Sequence, residues 1–408
     1  MKISKSKLSK FHIIYLGIFI IPFQYLMNYA IFTSVLIGIS ALSMVTLIRK
    51  DSILTLTNFI IGYLILIIFG LISTFYSGDP TSSYSILIQI IPYYFYCFVL
   101  SWHILNIPSK SLDRIVISLI TFLVSTIIIS VLALINELEG FNQWTRIGYK
   151  TFNDQFTMFT YYLMIGLSIS TWLLYKQTSK FKKISMCITL SFLYIISVLT
   201  AIRKAIIIPV IFWVVFVYMV SINKKRIIRG IVILIAGFTL FMLAYSLLLN
   251  NEYFASTVGR RIEGFIAGLQ GTGEADNSFN VRQQLVISAI ECFKTYPIGG
   301  YGFGAFRDYA DKMIGVNLYA HNNYVELLAS SGIIGFSIYY GCVILIFNKL
   351  YTRFKINKNP IYILGIAFLI SLLVNDFAVV SYLSLPYMVM LTILSCLGHC
   401  RVNNNQET

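Results

Sequence analysis

Long apolar runs fill this chain, and its polar residues are confined to the stretches between them. Twelve runs lie near 11–27, 30–48, 58–77, 84–105, 115–135, 156–175, 184–202, 205–222, 231–249, 324–347, 361–375 and 379–398. About 20 apolar residues in a helix cross about 30 Å of hydrocarbon, and only a helix or a closed barrel satisfies its own backbone there. The pattern predicts an all-α integral membrane protein of about 12 transmembrane helices. Apolar character continues from Phe11 to about Ile48 with no small-residue cleavage site, so this stretch predicts a helical hairpin rather than a cleaved leader. The runs divide the chain into N-terminal spans (1–183), spans with Arg203 at the outer face (184–249), a large external loop (250–323), C-terminal spans (324–399) and a short tail (400–408).

Composition agrees with the pattern. The chain is 58% hydrophobic and 12% charged, where soluble domains carry about 25% charged residues. Its net charge of +15 would fit a polyanion-binding surface, but the placement of the charges argues otherwise. With the N-terminus inside, 21 of the 31 basic residues and only 3 of the 16 acids fall on the inner side. Cytoplasmic loops retain Lys and Arg in this way. The basic excess therefore reports topology, with both termini cytoplasmic, and no nucleic-acid partner is expected. Cys292 is the one cysteine in an external loop, so no disulfide framework is expected, and no metal-ligand spacing of Cys or His appears.

Polar chemistry gathers on the predicted outer side. Within the large loop, residues 281–294 show helical spacing, with Asn277, Ser278 and Asn280 as capping residues before it and Tyr296-Pro297 as its stop. A glycine-rich run follows, Ile298-Gly299-Gly300-Tyr301-Gly302-Phe303-Gly304. It lacks the Gly-Lys-Ser/Thr of a phosphate loop. Next comes Ala320-His321-Asn322-Asn323-Tyr324, leading into an apolar helix in which Ala329, Gly332 and Gly335 recur every three residues. That spacing reads as a flat packing face.

Arg203 and Lys204 are adjacent cations on the outer side, against the positive-inside pattern. They either snorkel to headgroups or form an anion site, helped by the start of the next helix. Arg282 opens the loop helix, with Arg260 and Arg261 upstream. Each is either part of a solvated face or a fork for phosphate. His321, the one outer histidine, either caps a helix with Asn322 and Asn323 or takes a proton from a hydroxyl. Asp376 is either a plain polar turn or a substrate contact.

In Thr200-Ala201-Ile202-Arg203-Lys204-Ala205, Arg282, the run 297–306, and His321-Asn322 through Gly332-Ile333-Ile334-Gly335, the chain resembles the O-antigen ligase and polymerase superfamily. The resemblance covers roughly residues 185–345, and Ile202 stands where the family often has Ser or Thr. It implies a GT-C-like fold in the bacterial cytoplasmic (inner) membrane, with the active site on the periplasmic face. It further implies an undecaprenyl pyrophosphate-linked oligosaccharide as substrate, and no metal or cofactor. Arg203, Arg282 and His321 would be catalytic. Lys204, Asn322, Asn323, Arg260, Arg261, Gly300, Tyr301, Gly302 and Asp376 would bind substrate, with the glycine run and its aromatics shaping a sugar groove. The order of the motifs looks more like the repeat-unit polymerases of O-antigen or capsule, with a chain-length regulator and a flippase as partners. The alternatives are an O-antigen ligase, which passes the glycan to lipid A core or protein, and a flippase for the same lipid. A transporter would place polar residues near mid-membrane, whereas here they collect on one side.

Overall fold

The computed structural model describes residues 13–48, 54–138, 146–152, 156–249 and 277–400, and every regular element among them is helical. Besides short turns at Pro108–Lys110 and Tyr149–Phe152, these are in chain order α1 (Ile13–Ile20, continued by a 3-10 turn, Ile21–Leu26), α2 (Tyr29–Ile48), α3 (Asn58–Ser73), α4 (Pro80–Leu105) and α5 (Ser111–Leu138). They continue with α6 (Phe156–Lys176), α7 (Lys180–Leu199), α8 (Arg203–Asn223), α9 (Ile227–Leu249), α10 (Asn277–Thr295) and α11 (Phe306–Ile314). The last three are α12 (Asn323–Asn357), α13 (Pro360–Asn375) and α14 (Leu385–His399).

Seven helices among the described residues are long and apolar enough to cross a membrane, and five shorter apolar helices accompany them. Each apolar run read from the sequence falls on one of these helices. Helix α7 presents Phe181, Ile184, Ile188 and Ile195 outward, with Phe181 81% exposed. An apolar face of that kind belongs in lipid, where it costs nothing to expose. Arg260, Arg261 and the rest of the loop before Asn277 lie outside the described residues.

The chain forms two compact units. Unit 1 takes the described parts of Met1–Thr121, Val281–Arg353 and Asp376–Thr408. Its centre is α14, buried from Leu385 to Gly398 and packed on α3 and α4. A helix that is apolar all round finds its place inside a bundle. Thr57 caps α3 through Ile60 N, and Asp79 caps α4 through Thr81 N and Ser82 N, with Pro80 at the first helical position. Unit 2 takes the described parts of Phe122–Asn280 and Phe354–Asn375. There the buried helix is α13, packed on α6 and α8.

The structure revises two expectations in the outer segments. The loop helix begins at Asn277 rather than after Asn280, so the expected capping residues lie inside its first turn; it ends before Tyr296-Pro297 as expected. A second loop helix, α11, follows the glycine run, and the sequence reading did not foresee it. It buries Phe306 and Ala310, pairs Asp308 with Lys312 outward, and ends at Gly315, whose φ of 68° only glycine adopts at little cost.

The larger revision concerns 324–347, read as one continuous helix. Helix α12 breaks at Gly332, where φ is 60° and ψ is −165°. In an unbroken helix Ile333 N and Ile334 N would bond the carbonyls of Ala329 and Ser330. Here the glycine-rich segment inserts into that ladder and takes both halves. Tyr301 N donates to Ala329 O at 2.8 Å and Gly302 N to Ser330 O at 3.1 Å, while Ile333 N donates to Pro297 O at 2.9 Å and Ile334 N to Ile298 O at 3.4 Å. The inserted segment thus supplies partners for the Ala329 and Ser330 carbonyls and for the Ile333 and Ile334 amides. Gly332 is therefore not a flat packing position on a straight helix. Gly335 leaves room for the Ser331 side chain, which would stand 2.2 Å from a Cβ there, while Phe69 of α3 would be at ordinary contact distance, 3.5 Å.

Candidate functional site

Within unit 1 the residues around His321 are held by the first turn of α12. Asn322 caps that helix, its Oδ1 accepting from Tyr324 N at 3.0 Å and Val325 N at 3.3 Å. Asn323 is fully buried and bonded at every amide position. Its Oδ1 accepts from Ser381 N and Tyr382 N, at 2.9 and 3.1 Å, and its Nδ2 donates to Tyr340 and Asp376, at 2.9 and 3.3 Å. The carboxylate of Glu326, also buried, accepts from Ala320 N at 2.7 Å, one residue before the histidine. These bonds fix both flanks of His321. The histidine itself sits in the left-handed region with φ 53° and remains partly exposed.

Tyr319 packs against the His321 ring with centroids 4.2 Å apart, and the Arg307 guanidinium stands 5.3 Å from the tyrosine ring. Burial pushes the Tyr319 hydroxyl up, while the charges of Arg307 and Arg282 beside it pull it back. Two guanidinium groups thus lie within electrostatic reach of one ring that touches the histidine. Arg282 and Arg307 are both exposed, on α10 and α11 respectively. The sequence reading singled out Arg282 and His321 but missed Arg307 and Tyr319. The available signal for Arg307 was the amphipathic stretch Phe306–Ile314 ending in glycine, which marks a helix at the site's edge.

Asp376 is the hub of the polar network beneath this turn. It is fully buried, and its carboxyl accepts from Ser381 Oγ at 2.6 Å and Tyr340 OH at 2.9 Å, besides Asn323. Burial pushes its pKa up to about 7, against the lowering effect of those three donors. The folded-state value lies above the value of about 3.9 in an unfolded chain. Its contribution to stability is therefore complete below about pH 4 and is lost as pH rises through about 7. We expect the melting temperature of the detergent-solubilised protein to fall between pH 5 and pH 8. Asp376→Asn, which mimics the neutral acid, should flatten that slope. Asp376→Ala should lower stability by about 2–3 kcal/mol by stranding buried donors. A slope retained in Asp376→Asn would assign the titration to another group.

The glycine run and its aromatics turn mostly inward. Gly300, Tyr301 and Gly302 are buried, as are Phe303 and Phe306, and Tyr296 is the exposed aromatic of the set. Tyr301 OH donates to Asp308 at 2.9 Å and receives Lys312 Nζ at 3.1 Å; Phe303 N donates to Ser73 Oγ at 3.1 Å. Cys292 is buried against Ala329 O. In this structure the run locks the break in α12.

In unit 2, Arg203 and Lys204 open α8. The elbow from α7 turns on Ala201, with φ 52°, and Ile202 caps the helix without a side-chain bond. Pro209 has no N–H to give the Ala205 carbonyl, and Ser197 Oγ of α7 donates to that carbonyl instead. This substitution ties α7 to α8 at the turn that presents the two cations. Lys204 Nζ lies 4.7 Å over the Tyr161 ring of α6. The described residues 146–152, between α5 and α6, dock on α7 and α5, Ile147 N donating to Leu199 O at 3.1 Å and Lys150 N to the buried Glu137 carboxylate at 2.5 Å.

No curated protein matches the chain. A family model described as O-antigen ligase matches residues 157–340, from α6 to the middle of α12. The matched stretch contains Arg203, Lys204, Arg282, Arg307, Tyr319 and His321. Over this stretch the chain, which carries many apolar helices, is similar to the O-antigen ligase family.

Proposed function

We propose that the protein is a membrane glycosyltransferase that polymerises undecaprenyl pyrophosphate-linked repeat units of O-antigen or capsular polysaccharide. It works at the outer face of the bacterial cytoplasmic membrane, with twelve crossings and a GT-C-like arrangement. The observation that carries this reading is the cluster before α12, where Arg282 and Arg307 flank the charge environment of Tyr319 and His321 touches the same ring. Guanidinium forks match the oxygens of a pyrophosphate and never deprotonate. They neutralise the charge that grows on it as it leaves. His321 orients the acceptor hydroxyl and takes its proton while that oxygen attacks the anomeric carbon. The bond from that carbon to the pyrophosphate breaks, undecaprenyl pyrophosphate departs, and a single displacement inverts the carbon. Asn322, Asn323 and Asp376 act by holding the His321 turn, and Arg203 and Lys204 at the start of α8 are cations suited to an anion in their own right.

A ligase performs the same displacement with lipid A core or protein as acceptor, and the description of the matched family favours it as the second reading. Surface glycan in a strain lacking the protein separates the two. Wild type should restore a ladder of lengths, while Arg282→Ala and Arg203→Ala, at matched membrane expression, should leave glycan of one repeat. If one-repeat glycan also failed to reach its final acceptor, the ligase reading would replace the polymerase. Unchanged ladders in both variants would return the two arginines to solvation and snorkelling.

A further inference from the structure

At the end of unit 1 away from His321, a second group of cations stands where three helices meet. Lys349 and Arg353 lie one turn apart on α12. Lys349 Nζ is 2.9 Å from Asn58 Oδ1 at the start of α3 and 2.9 Å from His399 Nε2 at the end of α14. His399 Nδ1 lies 2.8 Å from Ser395 O. A carbonyl only accepts, so we assign the ring proton to Nδ1, which leaves Nε2 to accept from the ammonium. Arg353 Nε donates to Gly398 O at 3.3 Å. Gly398 lets the helices close here, since a Cβ on it would stand 3.1 Å from Lys349 Cβ.

The C-terminus of α14 accounts for one cation, because free carbonyls and the helix dipole attract positive charge. It does not account for two. The charged side chains acting on His399 are Lys349 and Arg353, both cationic. The one ion pair among the described residues is Lys312 with Asp308, in the loop region. Among those residues, Lys349 uses two of its three N–H groups and Arg353 one of its five. One ammonium N–H of Lys349 and four guanidinium N–H groups of Arg353 remain for a ligand, on side chains that are both partly exposed.

We propose that this cluster binds the phosphate of an anionic phospholipid headgroup. A phosphodiester offers the two coplanar oxygens that a guanidinium fork takes in parallel, and a third contact for the ammonium. The site stands at the ends of the apolar helices α3 and α14, and the ends of helices that cross a bilayer meet its headgroups. The basic loops assign this end to the cytoplasmic leaflet, whose surface is anionic.

The test uses the full chain in lipid nanodiscs containing phosphatidylglycerol and phosphatidylcholine, with retained lipid counted by native mass spectrometry. Phosphatidylglycerol should be retained selectively. Retention should drop about tenfold in Lys349→Gln and Arg353→Gln, the effect of one charge-assisted hydrogen bond, and by less in Arg353→Lys, which keeps the charge and serves as the folding control. Equal retention in wild type and Arg353→Gln overturns the proposal, as does equal retention of phosphatidylcholine. Inorganic phosphate is the second arm. If it raises the melting temperature as much as phosphatidylglycerol does, the group is a water-facing anion site and the lipid assignment fails.

Discussion

Gly332→Ala should nearly abolish the yield of folded protein. At φ 60° and ψ −165° Gly332 occupies a region essentially reserved for glycine. A Cβ there would lie 2.2 Å from Ile298 O and 2.7 Å from Gly300 N, both backbone atoms of the inserted segment. Gly300 mirrors it, with φ 73° and a virtual Cβ 2.4 Å from Ser330 C and from Ser331 N. Neither segment can yield without losing the four hydrogen bonds that fill the break. Backbone strain and overpacking together should cost at least about 3 kcal/mol at either glycine. Gly341→Ala is the control, since nothing lies within 4 Å of its virtual Cβ. Fluorescence-detected size exclusion of a tagged protein reads the outcome. A normal monodisperse peak for Gly332→Ala, with wild-type thermal stability, would mean that the break is not needed. The functional stake is direct, because the segment 323–331 carries Asn323 and Glu326, which hold His321.

His321→Ala should slow glycan transfer by about 10²–10⁴-fold, the usual contribution of a positioned acid or base. The loss should appear in kcat, because the imidazole acts on the reacting hydroxyl. Arg282→Ala and Arg307→Ala should raise KM as well, because they hold the pyrophosphate in the ground state too. A purified-protein assay on a lipid-linked repeat unit separates these effects. Asn322, Asn323 and Glu326 supply bonds that order the turn, and a wild-type size-exclusion profile of the variant checks that it folds. An unchanged kcat in His321→Ala would reduce the residue to a turn position and remove the chemical step from this cluster.

Much of the architecture could be read from the chain because lipid imposes a simple rule. Long apolar runs must be helices, and each run proved to lie on one. Arg203 and His321 stood out for the same reason, being polar groups at the ends of such runs, and Arg282 as a cation opening the helix read in the external loop. Arg307 was not, because its relation to Tyr319 depends on how α11 folds after the glycine run. Nor was the role of Asp376, whose three donors come from Asn323, Tyr340 and Ser381, up to 53 residues away.

The sequence by itself determined the helical membrane class, the helix positions and the polar cluster at His321, all of which follow from local hydropathy and residue type. Only the tertiary structure decided that Gly332 breaks α12, that the run 297–302 fills the break, and that Ser197 replaces the bond lost to Pro209. Those outcomes rest on backbone groups of distant segments satisfying one another. Every peptide carries the same donor and acceptor, so composition and periodicity do not reveal which distant partner each one finds.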